Sequence, residues 1–373
     1  MTSTGRKVMI AALTCALLAA VLSAGCSWFS SASVKPRATA KVQAAKPLTC
    51  PLCGLVPADP TFVQRRPVAV KIENDPAARP QSGLSNADVV YEEQCEGNVT
   101  RFMAIYLDRD ADTVGPVRSA RPADIDLVFP YNALFCHCGG GAPILAMVRS
   151  SGVADLDEQS WAGAYWRVHD QRAPHNLYSS TARLRQAGDK QYAYQGQAEP
   201  AFKFLTDEEQ AKMEKDRSAE IARAQANQAN PSPGYVPMLT VAHNLHIPYK
   251  GGCAADYSYD PASGRFMRFV AGAPHVDKNT GGQLAADTVI VQYVTTTSSG
   301  FVDVNGADTP NLGVIGTGRA QVFVRGRLID ANWQKVNRDS YTVYTDASGK
   351  EIAVKPGSTW VELVPTTMQV TFN

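Results

Sequence analysis

The chain has 373 residues, and its 36 basic and 35 acidic side chains leave a formal charge of +1. That balance, without a basic cluster in the folding part, gives no electrostatic footprint for nucleic acid. The length and a hydrophobic content of 45% suit one large or two medium domains with real cores. Beyond the N-terminus no apolar run approaches the about 20 residues that a bilayer-spanning helix needs.

Met1 to Lys7 is short and carries Arg6 and Lys7, and Val8 to Leu22 is apolar. A basic start, a short apolar core and small residues before a cut site make residues 1–25 a secretory signal peptide. Ser23, Ala24 and Gly25 lead directly into Cys26, which reads as a lipobox, although Leu22 stands one place further from the cysteine than is usual. The alternative is an ordinary signal with an incidental cysteine. Lipidation at Cys26 would anchor the chain to the extracytoplasmic face of the cell membrane, since two or more acyl chains hold stably. Residues 26–60 are then the lipidated cysteine and a flexible basic tether; Ser27 to Thr49 is rich in Ser, Ala and Lys and has no acid. Its charge suits anionic headgroups or wall polymers, or it is a solvated spacer.

Residues 61–206 read as a mixed α/β N-terminal domain. Pro67–Glu73 alternates like a strand, and Asp88–Glu96 and Val99–Leu107 read as a hairpin across Gly97-Asn98. Period two places Glu92 and Glu96 on one strand face and Glu93 on the other. Ala123–Phe129 suits a short helix with Pro122 in its first turn. Ala133–Cys138 is a strand running into three glycines, and Ala142–Ser150 a helix. Thr181–Ala187 is another helix, capped by Ser179 or Ser180. Residues 207–234 are an exposed helix, charged and without a wide apolar stripe, closed by Asn230-Pro-Ser-Pro-Gly234. Residues 235–373 carry β-branched and aromatic runs between Gly, Asn and Asp turns, a mainly β C-terminal domain of sandwich or barrel type. The fold class expected is α+β.

Six cysteines remain beyond Cys26: Cys50, Cys53, Cys95, Cys136, Cys138 and Cys253. An even count in an exported chain points to disulfides, whose pairing spacing alone leaves open. A zinc site would want a second matched pair, and Cys136-His137-Cys138 has the wrong spacing for one. Cys50-Pro-Leu-Cys53 does not follow a strand as a redox motif would. No metal and no cofactor is expected.

Three segments could carry chemistry. Arg118-Ser119-Ala-Arg121 lies in a Pro-bounded loop and can present two guanidinium forks to one anion, or pair with Asp124 or Asp126. His137 precedes Gly139-Gly140-Gly141 and a helix, a turn through which backbone N–H groups approach an anion, or a tight structural turn. His175-Asn176 follows a proline and offers a polar wall or an acid–base group. No G-x-S-x-G nucleophile motif occurs. For catalysis the candidates are His137, His175 and Glu96.

These segments together resemble the YerB-like lipoproteins, the bacterial family of domain of unknown function 3048. The resemblance rests on Arg66–Gly97, Thr100–Tyr106, Gly115–Pro122, His137–Gly141 and Ala173–Tyr178, and further on Gly316–Lys335 and Gly357–Pro365. It covers about residues 61–373. It implies a membrane-anchored, two-domain extracytoplasmic protein and no established reaction. The family pattern has Ala where this chain has Cys138 and fixes no cysteine at 95 or 136, which favours disulfides particular to this chain over a metal centre. Three functions compete: a binding protein for an anionic or sugar-containing envelope component, a hydrolase or transferase of cell-wall material, and a structural assembly partner. Oligomeric state is not legible.

Overall fold

The β-branched runs pair into one twelve-stranded mixed sheet that draws strands from both halves of the sequence. The structure, a computed structural model, describes residues 47–373 apart from positions 195 and 304. The signal peptide, Cys26 and most of the tether lie outside the described residues. Across the sheet the order is Val343–Thr345, Arg327–Lys335, Gly316–Val324, Thr288–Val302, Thr359–Pro365, Val89–Gln94, Thr100–Tyr106, Val68–Glu73, Leu134–His137 and Ala154–Asp157. Asp308–Gly313 and Thr240–Val241 pair off this path. Thr359–Pro365 lies parallel to both Thr288–Val302 and Val89–Gln94 and so joins the two halves.

The central strands are covered on both faces, and every residue of Val68–Glu73 and Thr100–Tyr106 is buried. That burial explains their near-continuous apolar runs. One face packs on α1 (Pro122–Val128) and α2 (Ala142–Ser151) through Ile125, Leu127, Val128, Ile144 and Val148. The other receives Leu184 of α3 (Thr181–Gln191) and a second, antiparallel sheet. In that sheet Arg265–Val270, Ala255–Asp260 and Asn244–Ile247 are neighbours, with short strands at the margins. The helix starts follow local chemistry. Ser180 caps α3 by accepting from Arg183 N–H at 3.2 Å, and Thr206 and Glu209 form a capping box on α4 (Asp207–Ala229). Helix α4 buries only Arg217 and Glu220, as its charged composition requires.

The fold is α+β with a strand-rich C-terminal region. Three expectations need correction. The later strands do not close into a separate sandwich or barrel: those from Thr288 to Pro365 extend the N-terminal sheet, and most of the earlier ones, with Thr371–Phe372, form the second sheet. The folded body also begins inside the stretch assigned to the tether. Cys50, Leu52 and Cys53 are fully buried because they pack against Val63 and the α1 side of the core. The turn after Val89–Gln94 is longer than two residues: Cys95 N–H bonds Val99 carbonyl at 2.8 Å around a 3-10 turn with Gly97 and Asn98 at positive φ. This turn breaks the period, so Glu96 ends on the side of Glu93 and not of Glu92.

The seam contains an awkward pair. Glu92 and Glu362 are register partners on adjacent parallel strands, and both are fully buried. Arg268, from the second sheet, binds both carboxylates, reaching Glu362 Oε1 at 2.9 Å. Its guanidinium stacks 4.7 Å from the Trp360 ring, and its Nε donates to His275 Nδ1 at 3.0 Å. His275 in turn meets Gln81 Oε1 at 2.8 Å. Burial and the Arg268 charge hold His275 well below the ordinary histidine range, so it is neutral and can accept. Burial and the neighbouring Glu92 push Glu362 up to about 8, so Glu362 holds its proton near neutrality.

Arg268→Ala leaves two carboxyls buried without a cation. We expect a loss of about 3–5 kcal/mol of unfolding free energy, read from urea denaturation of the full-length protein in detergent. A loss under about 1 kcal/mol, the scale of an ordinary surface change, would contradict this account.

Candidate functional site

The α1-side face of the sheet carries a second charged network, seeded in the strand Val68–Glu73. Val68, Val70 and Ile72 face one core, while Lys71 and Glu73 share the opposite face with Ala69. Lys71 is fully buried between Glu93 and Asp124, with Asp124 Oδ1 at 2.7 Å. Burial, then the Asp124 charge, push Glu93 up to about 7, so Glu93 is part-protonated near neutrality while Lys71 stays charged.

The loop from Gly115 to Arg121 is fixed by backbone pairing on both sides. Arg118 N–H donates to Lys71 carbonyl at 2.9 Å, and Cys138 N–H donates to Arg118 carbonyl at 2.9 Å. This pairing sends the two arginines to different partners. Arg121 is buried; its Nε donates to Glu96 Oε2 at 2.7 Å, and its N–H to Asp124 Oδ2 at 2.6 Å. Glu96 also accepts from the Thr309 hydroxyl. Against the upward push of burial, Arg121 and Thr309 hold Glu96 below the ordinary carboxylate range, so it stays ionised. Arg118 lies nearer the surface, 23% exposed, with its Nε 2.9 Å from Glu73 Oε1 as an ion pair off the line of a hydrogen bond. Its terminal guanidinium nitrogens have no protein acceptor among the described residues. Glu73 Oε2 also meets His175 Nδ1 at 3.0 Å, so one carboxylate holds Arg118 and His175 together. Below them Arg101 donates to Ser119 carbonyl at 2.8 Å.

The remaining candidates are structural partners. His137 is fully buried, with Nε2 at 2.9 Å from Asp155 Oδ1 and Nδ1 at 3.0 Å from Gly139 carbonyl. Gly139 N–H donates to Asp157 Oδ1 at 2.7 Å, so an internal carboxylate takes an N–H that could have met an external anion. Gly140 and Gly141 carry the chain into α2. Asn176 is spent on Arg167 Nη1 at 2.9 Å and Val168 carbonyl at 3.1 Å. The three catalytic candidates have separate partners: His137 binds Asp155, His175 binds Glu73, and Glu96 binds Arg121. They do not form a hydrogen-bonded acid–base set.

The disulfide expectation is corrected: Cys50, Cys53, Cys95, Cys136, Cys138 and Cys253 stand as free thiols. Four of them have local partners of their own. Cys95 lies 3.9 Å from Glu93 carbonyl, Cys136 3.6 Å from Leu134 carbonyl, Cys138 3.7 Å from Glu158 and Cys253 3.3 Å from Asn74 carbonyl. Sequence reasoning missed Lys71, Glu73 and Arg101. The signal was present in PVAVKIE, where two charged residues at period-two spacing interrupt a strand that is otherwise apolar on both faces.

Comparison with known proteins places this arrangement. The family described as protein of unknown function (DUF3048) matches with its N-terminal domain over residues 52–194 and its C-terminal domain over residues 245–361. The chain belongs to the DUF3048 family. It is 31% identical over 327 residues to YerB of Bacillus subtilis (strain 168), a presumed lipoprotein, covering 86% of this chain and 87% of the relative. The crystal structure of the YerB protein from Bacillus subtilis superposes with a TM-score of 0.70 at 27% identity, over 87% of this chain and 99% of that one. The boundary between the two DUF3048 domains therefore runs through a shared sheet, whose seam is Val89–Gln94 on Thr359–Pro365.

The Glu93 environment sets a pH dependence. Its folded-state value lies above the ordinary 4.5. The folded protein thus binds the extra proton between about pH 4.5 and 7, and this contribution is present at low pH and lost as pH rises through 7. The effect is at most one proton, about 1.4 kcal/mol per pH unit. Glu93→Gln removes it, so the wild-type-minus-variant difference in urea midpoint should fall across that window. A flat difference would refute the raised Glu93 value.

Proposed function

We propose that this DUF3048 protein is a lipoprotein, anchored through Cys26 on the extracytoplasmic face of the membrane, that binds an anionic component of the envelope at the Arg118–His175 edge. The carrying observation is Glu73, which holds Arg118 and His175 against its two oxygens while the Arg118 terminal nitrogens stay free of protein acceptors. A guanidinium fork beside an imidazole suits a phosphate or carboxylate. Arg101, which has no carboxylate hydrogen-bond partner, adds charge beneath, and Arg167, His169 and Arg172 are exposed on the segment leading to His175. Arg121 and His137, expected in the pocket, support the site from below and do not face a ligand. The hydrolase reading is weaker, because Glu96 is bound by Arg121 and Thr309 and hydrogen-bonds neither His137 nor His175. The name of the Bacillus subtilis relative and the sequence around Cys26 support the anchor. No helix among the described residues is long and apolar enough to cross a membrane.

Two measurements test this reading. Arg118→Ala should weaken binding of a phosphorylated glycan by roughly tenfold or more, with the fold unchanged, and salt should weaken wild-type binding in the same direction. Equal affinity for the uncharged glycan would refute it. Cys26→Ala should leave the protein unprocessed or released to the medium. Unchanged membrane retention, with no acyl group on the wild-type chain, would remove the anchor.

A further inference from the structure

The chain enters the folded body through Cys50-Pro-Leu-Cys53-Gly54 and is pinned there. Gly54 N–H donates to Cys50 carbonyl at 2.7 Å, and Cys50 N–H to Leu55 carbonyl at 2.7 Å, closing a tight loop. Gly54 has a φ of +70°, and a Cβ there would meet the Phe204 ring at 2.5 Å, so the turn requires glycine. Ala201 N–H donates to Pro51 carbonyl at 3.1 Å and Gly357 N–H to Cys53 carbonyl at 2.8 Å. Both sulfurs are thereby held in the interior, where neither cysteine has any exposure.

Two carboxylates face this loop. Asp88, just before the strand Val89–Gln94, is fully buried; its Oδ2 accepts from Leu107 N–H at 2.6 Å and Asp108 N–H at 3.1 Å. Its Oδ1 has no hydrogen-bond partner, and the Arg109 guanidinium stands off at 3.9 Å. Asp108, just after Thr100–Tyr106, has Oδ2 at 3.9 Å from Cys53 Sγ, and its buried Oδ1 is also without a partner. One ligand atom each from Cys50, Cys53 and Asp88 lies within 4.8 Å of the other two. Donors on a tetrahedral zinc ion stand about 3.7 Å apart, as Zn–S bonds of about 2.3 Å dictate, so small side-chain rotations would complete the set.

We propose that Cys50, Cys53 and Asp88, with Asp108 at the fourth corner, hold one thiophilic divalent cation of the zinc class. Two sulfur donors select against magnesium and calcium, and four protein donors make a closed, structural site. The two thiol protons leave to solvent as the ion enters. Two thiolates and two carboxylates around a dication leave two negative charges, and Arg109 and Arg65 flank them. A Cys50–Cys53 disulfide would explain less. It would link residues three apart, fasten neither to the sheet, and leave Asp88 Oδ1 and Asp108 Oδ1 bare. The ion ties the incoming chain to the start of one central strand and the exit of its neighbour.

The test uses the full-length protein extracted from membranes in detergent without chelators. Elemental analysis should find one zinc per chain, lost in the Cys50→Ser and Cys53→Ser double variant. Cobalt(II) replacing zinc should give an intense thiolate-to-cobalt charge-transfer band and the visible bands of a tetrahedral ion. Should the double variant fail to fold, Asp88→Asn decides: it keeps both thiols and an oxygen for Leu107 and Asp108 N–H, and should weaken cobalt binding tenfold or more. A Cys50–Cys53 disulfide in the purified protein overturns the proposal. So does an absence of bound zinc after incubation with a tenfold excess, or cobalt binding unaltered by Asp88→Asn.

Discussion

Two buried carboxyls, Glu92 and Glu362, stand opposite each other where the two halves of the sequence meet, and Arg268 is the cation that binds both. Like charges directly across a strand pair are destabilising, and a buried carboxylate without a cation is worse. The cation comes from a different sheet, so the seam and the second sheet are conditions for each other. A pair of this kind adds little stability over a well-packed apolar substitute. What it supplies is register. A one-residue slip of Thr359–Pro365 would turn Glu362 to the other face of the sheet, into the place of Val361 or Leu363 on the side of Ile290, and away from Arg268.

On the opposite face the charges are graded by depth. Lys71, Glu93 and Asp124 are sealed, with Lys71 between the two carboxyls. Arg121, Glu96 and Thr309 form the next layer, buried and bonded to one another, with Arg121 also held by the Ala120 carbonyl. Arg118, Glu73 and His175 are outermost and the only layer with capacity left over. The inner layers need their charges for one another, which keeps the sheet edge rigid. A rigid edge is what a loop requires if it is to present a guanidinium in a fixed direction.

Elements with a local cause were legible in the sequence. The bounds of α4 follow from its capping box and the Pro-Gly terminator, and the start of α3 follows from Ser180. The strands around Val70 and Val90 follow from β-branched runs. Features with distant causes were not legible. Arg268 and Glu92 are 176 residues apart in sequence, and nothing in either neighbourhood names the other. Glu96 was assigned the wrong face because a period-two count cannot see the turn at Gly97 and Asn98. Cys50 and Cys53 looked like tether because the stretch before them is basic and small, whereas their burial depends on Phe204 and Gly357 far along the chain. The site was half legible: Arg118 and His175 were named, but the carboxylate that unites them lay inside a strand read only for its apolar pattern.

The same strands relate the N-terminal entry loop to the edge that carries Arg118. Val68 pairs with Tyr106 and Glu73 with Arg101, so Val68–Glu73 and Thr100–Tyr106 run from the Asp108 end to the Arg118 end. Val89 likewise begins beside Asp88, and Gln94 ends beside Thr100. The incoming chain at Cys50–Cys53 therefore docks at one end of the central strands, and Glu73, Arg101 and Glu96 lie at the other. Six residues of strand at about 3.3 Å each separate them by nearly 20 Å. Gly357, hydrogen-bonded to Cys53, ties the entry loop to the strand at the seam. The far end, with Arg118 outermost, is therefore separated from the entry loop by the length of the central strands, so a change at one end leaves the other's contacts in place.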